Sequence, residues 1–120
     1  KADVVAVLLP TTALYLNIPY ASMKAIRESK VVPALASDYN PGSSPTFHMP
    51  FVMSLACLQM GMRMDEAMAA ATYGGAKALG LESDNGHLAV GLSPKISVYS
   101  CPDYRHLIGQ VAHPSVGTLL

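Results

Sequence analysis

The chain has 120 residues, of which 51% are hydrophobic and 13% charged, and its eight basic residues balance eight acidic ones. That is one domain's worth of chain, and its neutral balance leaves no electrostatic footprint for nucleic acid or an anionic membrane surface. No apolar run reaches the roughly 18–20 residues that span a bilayer, and Lys1-Ala2-Asp3 does not lead into a signal peptide, so a cytoplasmic protein is expected.

Val4 to Leu9 is a continuous apolar run ended by Pro10-Thr11-Thr12, as in a strand covered on both faces. Asn17-Ile18-Pro19 offers a helix start, and Tyr20 to Ser29 turns Met23 and Ile26 inward with Lys24, Arg27 and Glu28 outward. A second buried-type strand, Val31 to Ala36, follows. Strand, helix and strand at this length predict a right-handed parallel crossover. The chain opens almost directly into a buried-type strand and carries little charge, which suggests a piece of something larger.

The second strand gives way to Ser37-Asp38-Tyr39-Asn40-Pro41-Gly42-Ser43-Ser44-Pro45-Thr46. Here Pro fixes φ, Gly supplies a positive φ and Asn bonds its own backbone. Asp38 therefore sits at the C-terminal end of a parallel strand, the edge where ligands and catalytic groups collect in α/β architectures. The bland alternative is a carboxylate that caps a turn.

Met49-Pro50 opens a helix through about Met60, with stripes Phe51, Leu55, Leu58 and Val52, Ala56, Gln59, ended by Gly61. Another helix runs from about Met64 to Leu79, with Asp65 and Glu66 in its first turn and Arg63 as a poor N-cap. Gly74-Gly75 inside it costs about 1 kcal/mol per Gly relative to Ala, so close packing or a local bend must explain the pair. After Gly80 the texture changes. Glu82 to Gly86 is a loop, Leu88 to Leu92 a connection, and Lys95 to Tyr99 alternates as a half-exposed strand. Pro102-Asp103 starts a turn or short helix carrying Tyr104, Leu107 and Ile108, and Val116 to Leu120 reads as a strand.

None of His48, His87, His106 and His113 forms a pair with metal-ligand spacing. His48, near the helix start, is either a pocket wall beside Asp38 or a solvated helix-start residue; His106 and His113 are expected to be structural. The methionines at helical spacing are expected to fill core. Cys57 and Cys101 fit reduced thiols better than a disulfide framework, with no metal at either. Gly42-Ser43-Ser44-Pro45 leaves a carboxylate-binding role open, through backbone N–H groups near a helix start. It lacks the spacing of a P-loop, and neither serine has an assignable base.

Val7-Leu8-Leu9-Pro10-Thr11-Thr12, Ala34 to Pro45, Met49 to Cys57, Glu66 to Thr72 and Ala76 to Gly80 occur together in an order and spacing similar to the imidazolonepropionases of the amidohydrolase superfamily. The resemblance implies an α/β fold: the C-terminal part of a metal-dependent (β/α)8 barrel over residues 1–80, with the two strands as barrel strands seven and eight. Residues 81–120 would return to a small β-sandwich domain. It implies one divalent metal, Zn or Fe, with Asp38 as metal ligand and proton carrier. Asn40, Gly42 and Ser43 match substrate- or product-contacting positions. The implied reaction opens the cyclic amide of 4-imidazolone-5-propanoate to give N-formimidoyl-L-glutamate in histidine breakdown. The His ligands would come from the upstream remainder of the same polypeptide, and a homodimer is the family expectation. Two other readings stand beside it: another amidohydrolase, such as a cyclic amidine or amide hydrolase or a deaminase, and a stand-alone α/β module that binds carboxylates without catalysis.

Overall fold

The computed structural model describes residues 3–92, 95–111 and 117–119. His113, Val116 and Leu120 lie outside the described residues. Strands β1 (Val5–Leu8) and β2 (Val32–Leu35) pair in parallel, in a register running from Val5 opposite Val32 to Leu8 opposite Leu35. The expected parallel pairing across a helical connection is present, but the connection holds two helices rather than one: α1 (Pro10–Leu16) and α2 (Met23–Ser29). Pro10 does not simply end the strand; it occupies the first position of α1, where its missing N–H costs nothing. Asn17, expected at a helix start, instead ends α1 in the left-handed region at φ 52°, a conformation Asn tolerates. The α2 N-cap is Ser22, whose hydroxyl accepts from the Ala25 N–H at 3.4 Å.

Among the described residues β2 is covered on both faces at its end, whereas β1 is not. Leu8, Ala34 and Leu35 are buried, whereas Val7 is 50% exposed. Ala34 and Leu35 are consecutive and so point to opposite faces of the sheet, while in β1 the Val7 side is left open.

Helix α3 (Met49–Met60) and its left-handed end at Gly61, φ 72°, match expectation. It packs against α1, α4 and α6 and buries Val52, Met53, Ser54, Leu55 and Ala56 in succession. Of the two stripes, Leu55, Val52 and Ala56 are buried whereas Leu58 is 64% exposed, because an almost wholly apolar helix does not itself say which side will be covered. Four methionines, Met23, Met53, Met60 and Met62, are core residues, and Met49, Met64 and Met68 pack against them.

The helix expected from Met64 to Leu79 is three pieces in line: α4 (Met64–Ala69), a π turn (Ala70–Gly74) and α5 (Gly75–Ala78). The π turn lies on β2, and Gly74 has no room for a side chain, since a Cβ there would stand 2.2 Å from the Pro33 carbonyl oxygen. Of the two explanations for the glycine pair, close packing holds for Gly74, while Gly75 has room for a Cβ; the helix changes to π pitch over Ala70–Gly74. Arg63 caps poorly because its side chain carries no acceptor. The other half of a capping box is formed, with Glu66 Oε2 accepting from the Arg63 N–H at 2.8 Å. Glu66 also receives Arg27 Nη2 at 2.6 Å, and the same Arg27 nitrogen donates to the Gly61 carbonyl at 2.9 Å, tying α2 to the end of α3 and the start of α4.

Beyond Gly80 the chain loops back. Strand β3 (Ser97–Tyr99) pairs antiparallel with β4 (Gly117–Leu119), and helix α6 (Tyr104–Gly109) lies between them in sequence. The Asp103 carboxylate caps α6 by accepting from the Arg105 N–H, and Ile108 is 1% exposed against α3. Burial of a side chain of this size contributes about 1.5–3 kcal/mol. Ser54 locks the contact, its hydroxyl donating to the Ile108 carbonyl. Among the described residues no helix is long and apolar enough to cross a membrane.

Candidate active-site edge

Parallel pairing with Leu8 opposite Leu35 brings the segments that follow β1 and β2 to the same edge of the sheet. One begins with Pro10-Thr11-Thr12 at the start of α1, the other with Ala36-Ser37-Asp38. Three side chains join them. Thr11 Oγ1 donates to the Ser37 carbonyl at 3.1 Å, and Ser44 Oγ lies 2.6 Å from that carbonyl and 3.0 Å from Thr11 Oγ1. Thr11 and Ser44 are both buried, so this hydroxyl network satisfies groups that would be costly to leave unpaired. Thr12 Oγ1 then donates to Asp38 Oδ2 at 2.9 Å.

Asp38 itself is exposed and stands in the left-handed region at φ 50°. No Lys or Arg pairs with it among the described residues; the ion pairs lie elsewhere, as in Lys77 with Asp3 and Glu82, or Arg105 with Asp103. Arg105 donates to the Asp103 carboxyl and pushes it down to about 2. Asp38 thus combines an anchored backbone with a carboxylate whose partner is a hydroxyl rather than a cation.

The loop after Asp38 is organised by Asn40. Its Oδ1 accepts from the N–H groups of Gly42 (2.9 Å) and Ser43 (2.8 Å), and its Nδ2 donates to the Asp38 carbonyl at 2.7 Å. Ser43 Oγ lies 2.9 Å from the same Nδ2, and Asn40 and Ser44 exchange backbone hydrogen bonds across the turn. Asn40, Gly42 and Ser43 are therefore one unit beside Asp38. Gly42 does not adopt the positive φ expected of it; Asp38 does. The Gly42 and Ser43 N–H groups that a carboxylate cradle would need are already taken by Asn40, which removes the donors on which a stand-alone binding module would rely.

His48 precedes α3 as its N-cap residue without a side-chain capping bond, and its Nε2 is buried with no hydrogen-bond partner among the described residues. That burial argues against a freely solvated helix-start residue. In the same loop the exposed rings of Tyr39 and Phe47 meet edge to face with centroids 5.4 Å apart. His106 and His87 are exposed, away from this loop in sequence. Cys57, half-buried on α3, has its thiol pushed up by burial and secondarily by the Glu66 charge; Cys101 is exposed, and both are free. No group of three or more His, Cys, Asp or Glu side chains that could hold a metal occurs among the described residues. Asp38 is the carboxylate of this edge, and its side chain has the chemistry of a metal ligand. Thr11 and Thr12 were not singled out as site residues from the sequence, and Ser44 was weighed only as a nucleophile or anion-site residue, although parallel pairing of the two strands implies that Thr12 and Asp38 follow neighbouring strand ends.

The Amidohydrolase family model matches residues 3–110 of this α/β unit, and the chain belongs to that family. It is 44% identical over 108 residues to the imidazolonepropionase of Symbiobacterium thermophilum, covering 89% of this chain and 25% of that protein. It is 41% identical over 120 residues to the imidazolonepropionase of Shouchella clausii, covering 100% of this chain and 27% of that one. The chain thus spans about a quarter of the length of these relatives. Among solved structures, the guanine deaminase of E. coli matches with a TM-score of 0.61 and 33% identity, over 71% of this chain and 21% of that one.

Proposed function

We propose that this chain is the C-terminal part of a metal-dependent cyclic-amide hydrolase that converts 4-imidazolone-5-propanoate to N-formimidoyl-L-glutamate. The observation that carries the proposal is Asp38: a carboxylate without a cationic partner among the described residues, at the C-terminal edge of a parallel strand pair, in a chain 41–44% identical to imidazolonepropionases. On this reading β1 and β2 are strands seven and eight of a (β/α)8 barrel. Residues 1–80 belong to the barrel and 81–120 to a small β-sandwich domain. The change from a parallel pair before Gly80 to an antiparallel pair after it supports that division.

Asp38 suits one position in the coordination of a divalent zinc or iron ion, with the remaining ligands, histidines among them, supplied by the rest of the polypeptide. Such an ion supplies a Lewis acid and lowers the pKa of water towards neutrality. Asp38 accepts the proton of the attacking water and returns it to the ring nitrogen as the C–N bond breaks. The water oxygen stays on the carbonyl carbon, which becomes a carboxylate, and the freed nitrogen remains in the product as the terminal nitrogen of its formimidoyl group. Asn40, Gly42 and Ser43 line the substrate or product position, in a turn that the Asn40 amide and the Ser43 hydroxyl hold together beside Asp38. The free thiols of Cys57 and Cys101 suit a reducing compartment such as the cytoplasm, and a homodimer is the proposed assembly.

A second reading, deamination of a cyclic amidine, is favoured by the guanine deaminase match. The complete protein decides between them. Consumption of 4-imidazolone-5-propanoate without ammonia release supports the hydrolase, whereas ammonia release from a purine without action on the imidazolone supports the deaminase.

A further inference from the structure

The hydrogen bond from Thr12 to Asp38 joins two elements 26 residues apart, and the proposed mechanism makes no use of it. From this geometry we infer that Thr12 is a positioning residue: its hydroxyl fixes the rotation of the Asp38 carboxylate and occupies Oδ2, leaving Oδ1 to meet a cation. The inference rests on the reading of Asp38 as a metal ligand.

Both ends of the bond are anchored. Thr12 is half-buried in the first turn of α1, directly after buried Pro10 and Thr11. Thr11 is fixed in turn by the Ser37 carbonyl and by Ser44, which is 0% exposed. The same Ser37 carbonyl is where the Asp38 backbone begins, so the hydroxyl network sets the spacing between Thr12 and Asp38 from beneath. From the other side, Asn40 Nδ2 donates to the Asp38 carbonyl at 2.7 Å and holds the backbone at φ 50°. A carboxylate on a left-handed backbone with one oxygen engaged by an anchored hydroxyl has little rotational freedom left. A ligand so oriented loses less entropy on meeting a cation, and outer partners of this kind orient and tune the groups that bind metals.

The experiment uses the complete protein with Thr12→Val, which keeps the shape and removes the hydroxyl, together with Thr12→Ser and Asp38→Asn. Zn²⁺ affinity is read by competition with a chromogenic chelator, alongside kcat, KM and the melting temperature of the metal-free protein. Thr12→Val should weaken Zn²⁺ binding and lower kcat by about 10–100-fold each, with KM and metal-free melting little changed, and Thr12→Ser should restore most of both. Wild-type affinity and turnover in Thr12→Val overturn the inference. So does a loss that Thr12→Ser does not rescue, or failure of both Thr12→Val and Thr12→Ala to fold, since the hydroxyl would then be purely structural. Asp38→Asn separates the two levels: if it leaves metal binding and turnover intact, the ligand reading itself fails. If it abolishes both while Thr12→Val is neutral, only the positioning role fails.

Discussion

Gly74 faces Pro33 so closely that a Cβ on the glycine would stand 2.2 Å from the proline carbonyl oxygen and 3.2 Å from the Ala34 Cα. Backbone atoms cannot swing aside as a flexible side chain would. Gly74→Ala should therefore push the π turn off β2 and cost about 1–3 kcal/mol, the usual penalty for overpacking. Its neighbour is the control. A Cβ on Gly75 meets only the Ala70 oxygen, at 4.0 Å, in ordinary helical geometry, so Gly75→Ala should gain about 0.5–1 kcal/mol. Denaturant melts of the two variants in the complete protein check the contrast.

Glu66 links three elements and gives a pH dependence of definite sign. The hydrogen bond from Arg27, above all, holds its carboxyl below the ordinary 4.5, against the opposing effect of burial. A carboxyl depressed by folding contributes stability above its unfolded value, and that contribution is lost as pH falls through the folded value. Glu66→Gln should cost about 1 kcal/mol at pH 7, and its difference from wild type should shrink as pH drops below 4.5. Stability measured across that range would contradict this if the difference stayed constant.

The 120-residue segment expressed alone should aggregate and be catalytically silent. Among the described residues β1 and β2 pair only with each other, and Val4, Val7, Leu14, Tyr15, Leu16 and Ile18 are each about half exposed. Unpaired edges and contiguous apolar surface favour association. Light scattering and a ring-opening assay check it; a soluble monomer with a sharp thermal transition, or measurable turnover, would count against it.

Ser43→Ala in the complete protein should raise KM more than it lowers kcat if the hydroxyl holds substrate without entering the chemistry. The turn should survive, because Asn40 Oδ1 still accepts from the Gly42 and Ser43 backbone N–H groups. Steady-state kinetics with unchanged melting would meet that expectation. A fall in kcat alone would not.

Both strands, α3 and its glycine end were legible in the sequence because each rests on a local signal: an apolar run, a Pro at the start, a Gly at the end. Helix α1 was not, since Pro10 suits a strand terminus and a first helical turn equally well. The outward turn of Leu58 and the open side of Val7 were hidden for another reason. Apolar residues on every face carry no information about which face finds a partner. At the site, Asp38 was visible from its place after a strand, and the Asn40 turn from its residue types. The hydroxyl contacts of Thr11, Thr12 and Ser44 depend on strand register, a property of two segments together and not of either alone.

The most direct test of the account is Asp38→Asn in the complete protein, with metal content, fold and turnover of 4-imidazolone-5-propanoate measured on the same sample. Asn keeps the size of Asp and serves turns as well, so a turn-capping role predicts a stability change below about 1 kcal/mol with turnover largely kept. A metal ligand that carries the proton predicts an intact fold, weakened metal binding and a fall in kcat of about 10²–10⁴-fold or more. Turnover near wild type with normal metal content would contradict the assignment of Asp38.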